Sequence, residues 1–92
     1  MRKLKPRRHP NVLTTQAGND VVLNDPRTRM VHLLNVTAAA VWNLCDGRHT
    51  PDEIAQSIKM QFLIPAAQDV DADVRDLLAR LNQSGLLEGV DG

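Results

Sequence analysis

The side chains that could do chemistry are few and widely separated along the chain. The histidines are His9, His32 and His49, and no two have the i, i+4 spacing that places two zinc ligands on one helix face. The single cysteine, Cys45, excludes an intrachain disulfide and a multi-cysteine metal site. No carboxylate, histidine and cysteine form a set that would activate a nucleophile, and no glycine-rich phosphate loop is present. We therefore predict no catalytic residue, no metal ligand and no cofactor, and we do not expect an enzyme.

Four aspartates between positions 69 and 76 form the one cluster that resembles a cation site. They are Asp69, Asp71, Asp73 and Asp76. A calcium loop needs a glycine at its sixth position and a glutamate at its twelfth, and this segment has neither. Acidic residues are also favourable at the N-cap and in the first turn of a helix. The cluster therefore predicts the start of a helix rather than a metal site.

Size and composition restrict the class of protein. The 92 residues suffice for one domain with a single core, and 42% of them are hydrophobic. No apolar run approaches the ~20 residues that cross a bilayer. The positive charges at the N-terminus are not followed by the apolar segment of a signal peptide. We expect a soluble, cytoplasmic domain that makes no contact with a membrane.

The charges are distributed unevenly although the formal net charge is zero. Five of the eleven basic residues lie in the first ten positions, so the remainder of the chain is acidic. Residues 1–10 are therefore predicted to be a basic tail, either solvated or acting as a contact arm for an acidic partner. Residues 11–88 are predicted to form the domain, and residues 89–92 a frayed end.

Three short strands are expected in the first third of the chain. They cover residues 12–16, 21–23 and 30–34, and turn signals separate them at residues 17–20 and 24–26. The short connections favour an antiparallel sheet in which sequential strands are neighbours. Such a sheet needs helices packed on one face for stability.

Three helices are expected to follow. The first spans residues 36–45, with Asn35 as N-cap and Gly47 as the left-handed residue that ends it. The second begins at Thr50, where Pro51 and Glu53 complete a capping box. The third spans residues 70–84 and ends at Gly85. The order βββααα predicts an α+β fold with a winged-helix-like architecture.

The predicted strand Met30–Leu34 pairs on one side only if sequential strands are neighbours. Its other edge would then present unpaired N–H and C=O groups, which an extended peptide can satisfy by strand addition. Lysine, glutamate and proline, which usually protect an edge, are absent from this strand. The alternative is that the third helix or a second copy of the chain covers the edge.

A winged helix-turn-helix regulator that binds DNA is the competing interpretation. Residues 50–84 could supply its two helices, and the basic tail could contact phosphate. A recognition helix should be basic, however, and residues 69–84 carry four aspartates against Arg75 and Arg80. The charge pattern therefore argues against nucleic acid as the partner.

An ordered set of short motifs resembles the PqqD family. The set begins at residues 21–24, continues through residues 33–38, which read Leu-Leu-Asn-Val-Thr-Ala, and reaches the Trp-Asn-Leu-Cys-Asp-Gly motif at residues 42–47. The remaining matches are Thr50, Glu53, Ile54, Ala55, Asp73, Val74, Leu77, Leu78, Leu81, Gly85, Leu86 and Leu87. The resemblance covers about residues 12–88, and the basic tail is not part of the family pattern.

The resemblance implies a peptide chaperone, also called a RiPP recognition element. Such domains have three strands and three helices, and they hold the leader of a ribosomally made precursor peptide. They present it to a modifying enzyme, often a radical S-adenosylmethionine protein, in pathways of which pyrroloquinoline quinone biosynthesis is one. The leader docks on the third strand beside the third helix, and some members form homodimers.

We therefore expect the peptide to contact the third strand and one flank of the third helix. On a helical wheel, two flanks border the buried positions, one with Asp73, Arg80 and Ser84 and the other with Leu78 and Arg75. The second flank extends the apolar surface and offers a cation to a leader carboxylate, so we select it. The predicted peptide-binding residues are Met30, Val31, His32, Leu33, Leu34, Asp71, Arg75, Leu78 and Asn82.

Overall fold

A computed structural model describes residues 4–88 of the chain. The expected frayed end at residues 89–92 and the first three residues of the expected tail lie outside the described part. The strands are β1 (Arg7–Arg8), β2 (Leu13–Ala17), β3 (Asp20–Asp25), β4 (Met30–Leu34) and β5 (Leu87–Glu88). The helices are α1 (Val36–Asn43), α2 (Pro51–Gln61) and α3 (Val70–Gln83).

The central sheet is a three-stranded antiparallel meander in the order β2-β3-β4. Leu23 pairs with His32, and Val21 pairs with Leu34. The side chains of Val21, Leu23 and Leu34 are buried against the helices. The open sheet followed by three helices confirms the predicted α+β fold and its βββααα order.

Local capping explains where the helices begin. Asn35 Oδ1 accepts a hydrogen bond from the Ala38 N–H at 2.9 Å and so caps α1. At the start of α2, the Glu53 N–H donates to Thr50 Oγ1 at 3.2 Å, and the Thr50 N–H donates to Glu53 Oε1 at 2.8 Å. Asp69 caps α3. Each of these caps was predicted from the sequence.

The end of α1 differs from the prediction. The helix stops at Asn43, before Cys45, and Gly47 is not its terminal left-handed residue. Gly47 does adopt a positive φ of 81°, but it lies in the following turn, where its N–H donates to the Pro6 carbonyl at 3.0 Å. A Cβ at Gly47 would lie 3.4 Å from Cδ of Arg7. The positive φ is therefore the reason for glycine at this position, since a Cβ would make ordinary van der Waals contact with Arg7.

The core lies between the sheet and the three helices and is mainly aliphatic, as expected. Trp42 is its largest buried side chain, and its indole Nε1–H donates to Thr14 Oγ1 at 3.1 Å. That bond satisfies the one polar atom that a buried tryptophan brings into the core. The fully buried members at the centre of the core are Val21, Leu23, Val41, Trp42, Cys45, Ile54, Ala55, Ile58 and Leu86.

The prediction of a solvated tail is wrong for residues 6–8. Pro6 is buried, and β1 pairs in antiparallel fashion with β5 near the other end of the chain. Arg7 forms an ion pair with Glu88 at 2.8 Å. The Arg8 guanidinium donates to the carbonyls of Trp42 and Asn43 at the end of α1. Both arginines therefore make contacts within the domain.

Candidate functional site

The strand β4 forms an open edge of the central sheet. Its only neighbour within the sheet is β3, as the simple sequential order predicted. Met30, Val31 and Leu33 are 55%, 61% and 68% exposed, which is unusual for apolar residues of a sheet. The edge also lacks the charged and proline residues that usually prevent strand addition.

The hairpin loop between β3 and β4 shows which backbone groups face the open side. The Asp25 carbonyl accepts from the Thr28 N–H at 3.2 Å, and the Met30 N–H donates to Thr28 Oγ1 at 3.2 Å. The backbone groups of Asp25 and Met30 therefore point into the hairpin. Because successive residues alternate in direction, the N–H and C=O groups of Val31 and Leu33 point away from β3. The outward groups of these two residues have the direction that an added strand would need.

Side chains of β4 alternate between the two faces of the sheet. His32 and Leu34 lie on the face that carries the helices, because they pair with the buried Leu23 and Val21. Val31 and Leu33 lie on the outer face. A strand added to this edge would therefore direct every second side chain toward α3.

A groove separates β4 from the second half of α3. It encloses about 430 Å³, and its helix side is formed by Leu77, Arg80, Leu81 and Ser84. Its remaining lining residues are Val31, His32, Leu33, Leu34 and Leu86. We call this region the strand lobe. Buried leucines lie below it, and Arg80 and Ser84 stand at its exposed side.

A second concavity of about 290 Å³ continues from the first along α3. It lies between α3, the start of α1 and the connection from α2 to α3, and we call it the helix lobe. Leu77 and Arg80 line both lobes, so they mark the junction. The other residues of the helix lobe are Asn35, Thr37, Ala38, Val41, Ile58, Ile64, Gln68, Val70, Asp73 and Val74.

The predicted flank of α3 lies on the side of the helix that faces α2. Asp71 pairs with Lys59 of α2 at 2.9 Å, and Arg75 pairs with Asp52 at 3.0 Å. Leu78 is buried in the core. These residues face α2 and the N-terminal segment, which separates them from β4.

The remaining two predicted residues outside the strand lobe are Asn82 and Met30. Asn82 is half-buried on α3 and does not line either lobe. Met30 belongs to the open edge, but its side chain does not line the strand lobe. The structure therefore brings together Val31, His32, Leu33 and Leu34 of the nine predicted residues.

Sequence reasoning missed the residues that face β4 from the helix, namely Leu77, Arg80, Leu81 and Ser84. A signal for them was present in the pattern of charges. Lys59 and Asp52 on α2 are complementary to Asp71 and Arg75, which indicates that α2 packs on that flank. The opposite flank would then be left for the strand.

A buried ion pair holds the end of β3 to the end of α3. Asp25 is fully buried, and Arg27 donates to both of its carboxylate oxygens at 2.9 and 2.8 Å. The same guanidinium donates to the Gly85 carbonyl at 2.7 Å. The hydrogen bonds from Arg27 hold the pKa of Asp25 below its usual value. This contact fixes one end of the groove, since Gly85 follows directly after α3.

Within the described part of the chain, the side chains considered for catalysis or metal binding do not form a common site. Burial raises the pKa of the Cys45 thiol to about 12, so it is protonated at neutral pH. Within residues 4–88, no three histidine, cysteine or acidic side chains lie close enough together to hold a metal ion. Asp69 caps α3, Asp71 pairs with Lys59, and Asp73 accepts from Gln68. The aspartate cluster thus has the helix-start role that the sequence predicted.

Comparisons with known proteins agree on one family. The family described as coenzyme PQQ synthesis protein D (PqqD) matches residues 20–87. No match was found among curated protein sequences. Within residues 4–88, no helix has the length and apolarity needed to cross a membrane.

Two solved structures are similar to this chain over nearly its whole length. One is TbiB1 in complex with the TbiA(beta) leader peptide, with a TM-score of 0.79 and 26% identity over 94% of this chain and 99% of that one. The other is lasso peptide synthetase B1 complexed with the leader peptide, with a TM-score of 0.77 and 25% identity over 91% of this chain and 98% of that one. The family match includes β3, β4 and all three helices, the elements that form the groove. This chain therefore belongs to the PqqD family.

Proposed function

We propose that this chain is a non-catalytic recognition domain for the leader of a ribosomally made precursor peptide. The leader adds to β4 as a fourth strand, lies in the strand lobe against α3, and is presented to a modifying enzyme. The observation that carries this proposal is the unpaired, uncharged edge of β4 beside an open groove. The two similar structures contain leader peptides, which supports the same class of ligand here.

The groove suits an extended peptide better than a small molecule. The outward N–H and C=O groups of Val31 and Leu33 provide affinity that does not depend on the side chains of the guest. The leucines of the strand lobe and the apolar wall of the helix lobe would then select among those side chains. We place binding at Val31–Leu34 and the Leu77, Arg80, Leu81 and Ser84 side of α3, in place of the flank expected from the sequence.

Several further parts of the proposal come from the family. A modifying enzyme is the expected second partner, often of the radical S-adenosylmethionine type, and pyrroloquinoline quinone synthesis is one of the pathways it could serve. A homodimer is also part of the proposal, because a free strand edge can pair with a second copy. We place the protein in the cytoplasm, where its peptide is made.

Two of the five tail cations on which the DNA-binding alternative depends make contacts within the domain. Arg7 is paired with Glu88, and Arg8 is bound to the carbonyls at the end of α1. The helix α3 carries acidic residues in its first turn. We therefore do not propose nucleic acid as the partner.

The proposal is tested by titrating the ¹⁵N-labelled protein with the leader of a precursor peptide encoded beside its gene. Amide shifts should concentrate at β4 and at the Leu77–Ser84 side of α3. Leu33→Pro removes an outward backbone donor from an edge strand, where proline is tolerated, and binding should weaken about tenfold.

The matched control is Gln16→Pro on the opposite edge of the sheet. Gln16 pairs with Val21, whose backbone groups point to β4, so the N–H of Gln16 faces solvent. Both variants should keep the circular dichroism spectrum of the parent. Equal loss of binding in the two variants, or shifts confined to other elements, would refute strand addition at β4.

A further inference from the structure

Arg80 is a charged residue at the junction of the two lobes. It lines both the strand lobe and the helix lobe, so a peptide that extends from one lobe into the other must pass its side chain. The residue is exposed and lies one turn beyond Leu77, the apolar residue that shares the junction. In the described residues, the opposite wall, formed by β4 and the start of α1, contributes no aspartate, glutamate, lysine or arginine side chain.

The other arginines close to α3 are already engaged. Arg75 pairs with Asp52, Arg27 pairs with Asp25, and the Arg7 guanidinium pairs with Glu88. Within residues 4–88, the Arg80 guanidinium makes neither an ion pair nor a hydrogen bond. Among the described residues, it is therefore a cation without an anionic partner at the junction of the two lobes.

The acidic residues nearest to Arg80 along α3 do not neutralise it. Asp73 lies two turns earlier, and its carboxylate accepts from the Gln68 amide at 2.8 Å. Asp76 lies one turn earlier, but its carboxylate is not within 4.0 Å of the guanidinium. Among the described residues, no group accepts a hydrogen bond from the Arg80 guanidinium. Its donors are therefore available to an anionic group of a ligand.

We propose that Arg80 selects leader peptides that carry an aspartate or glutamate at the junction of the two lobes. This inference rests on the proposed leader-binding function and specifies the chemistry of the leader at one position. A guanidinium can hold a carboxylate with two parallel hydrogen bonds, which gives direction as well as attraction. The leucines around it partly exclude water and strengthen the pair relative to an exposed surface bridge.

A purely structural role for Arg80 makes a different prediction. A cation in the last turn of a helix interacts favourably with the exposed carbonyl groups, so its loss would lower the stability of the fold slightly. Such a role would not distinguish acidic peptides from neutral ones. The charge preference of the ligand is therefore the decisive readout.

The experiment uses a displayed library of random 15-residue peptides, selected on the full-length protein and on the Arg80→Glu variant. Peptides recovered on the parent should be enriched in one aspartate or glutamate, and those recovered on Arg80→Glu should carry lysine or arginine instead. One parent-selected peptide is then synthesised in its acidic form and with the carboxylate replaced by the amide. The parent should bind the acidic form roughly fivefold more tightly, and Arg80→Gln should bind the two forms equally.

Arg75→Gln is the matched control, because it removes an exposed arginine from the same helix on the side facing α2. It should keep the full preference for the acidic peptide. Recovery of groove-binding peptides without any acidic preference would overturn the role of Arg80 while leaving the leader-binding function in place. If the selected peptides retain their affinity for Leu33→Pro, they do not bind the β4 edge, and both proposals fall together.

Discussion

The two flanks of α3 differ in whether their side chains have partners within the domain. On the flank facing α2, Asp71 and Arg75 are paired with residues of α2, and Leu78 is buried. On the flank facing β4, Leu77 is only partly buried, and Arg80 has no partner within the described residues. One side of the helix therefore holds the fold together, and the other side is the one that we propose to bind the peptide. The predictions below test this division of roles.

The largest expected effect concerns the two adjacent leucines of α3. Leu78→Ala removes a side chain that is only 4% exposed, so the free energy of unfolding should fall by about 2–5 kcal/mol. Leu77→Ala removes a partly buried side chain and should cost about 1 kcal/mol. Urea denaturation of the two variants measures the difference. Similar losses in both variants would mean that the two flanks are not distinct.

Substitutions on the flank facing β4 should reduce peptide affinity more than substitutions on the flank facing α2. Leu77 lines both lobes of the groove, so Leu77→Ala should weaken leader binding about tenfold because it removes an apolar contact. Titration calorimetry at a temperature where the variant remains folded measures this loss. Arg75→Gln serves as the control on the other flank and should bind normally. An unchanged affinity in Leu77→Ala would move the ligand away from α3.

Acid should weaken the flank facing α2. The Lys59 ammonium holds the pKa of Asp71 below its usual value, and hydrogen bonds from Arg27 do the same for Asp25. A carboxyl group with a lowered pKa in the folded state stabilises the fold at pH values above its pKa in the unfolded chain, which is near 4. This stabilisation is lost as the pH falls through the lower pKa of the folded state. Thermal unfolding between pH 7 and pH 2 should show a decline that begins near pH 4. Asp71→Asn should reduce that decline, and an identical profile in this variant would remove Asp71 from the explanation.

The smallest expected effect belongs to the ion pair between Arg75 and Asp52. Both side chains are highly exposed, at 64% and 76%, and such surface pairs contribute about 0–1 kcal/mol. Arg75→Gln should therefore change the free energy of unfolding by less than about 0.5 kcal/mol. A chemical denaturation curve measured at two salt concentrations checks this value. A loss above about 2 kcal/mol would show that the pair is an essential part of the contact between the helices.

Features encoded by neighbouring residues were predictable from the sequence. The capping box at the start of α2, with Thr50, Pro51 and Glu53, was predicted from the sequence. The caps of the other two helices, Asn35 and Asp69, were predicted as well. These signals are local because a cap satisfies donors only two or three residues away. The open edge of β4 was predictable for a related reason, since short connections make sequential strands neighbours.

Features that depend on distant contacts were not predictable. Arg7 pairs with Glu88, 81 positions away, and no local pattern marks either residue as part of a strand. The side of α3 that faces β4 depends on where α2 packs, and a helical wheel does not contain this information. The apolar and charged residues on the two flanks are similar enough that composition alone favoured the flank that packs on α2.

The pairing of β1 with β5 has a topological consequence for how this domain can be combined with others. Because Arg7 lies opposite Glu88, the polypeptide enters and leaves the fold at neighbouring points. A domain with adjacent ends can be inserted into a loop of a larger protein, or joined head to tail in a circular permutant, without stretching its host. The same architecture is therefore compatible both with a separate domain and with an insert in a larger protein.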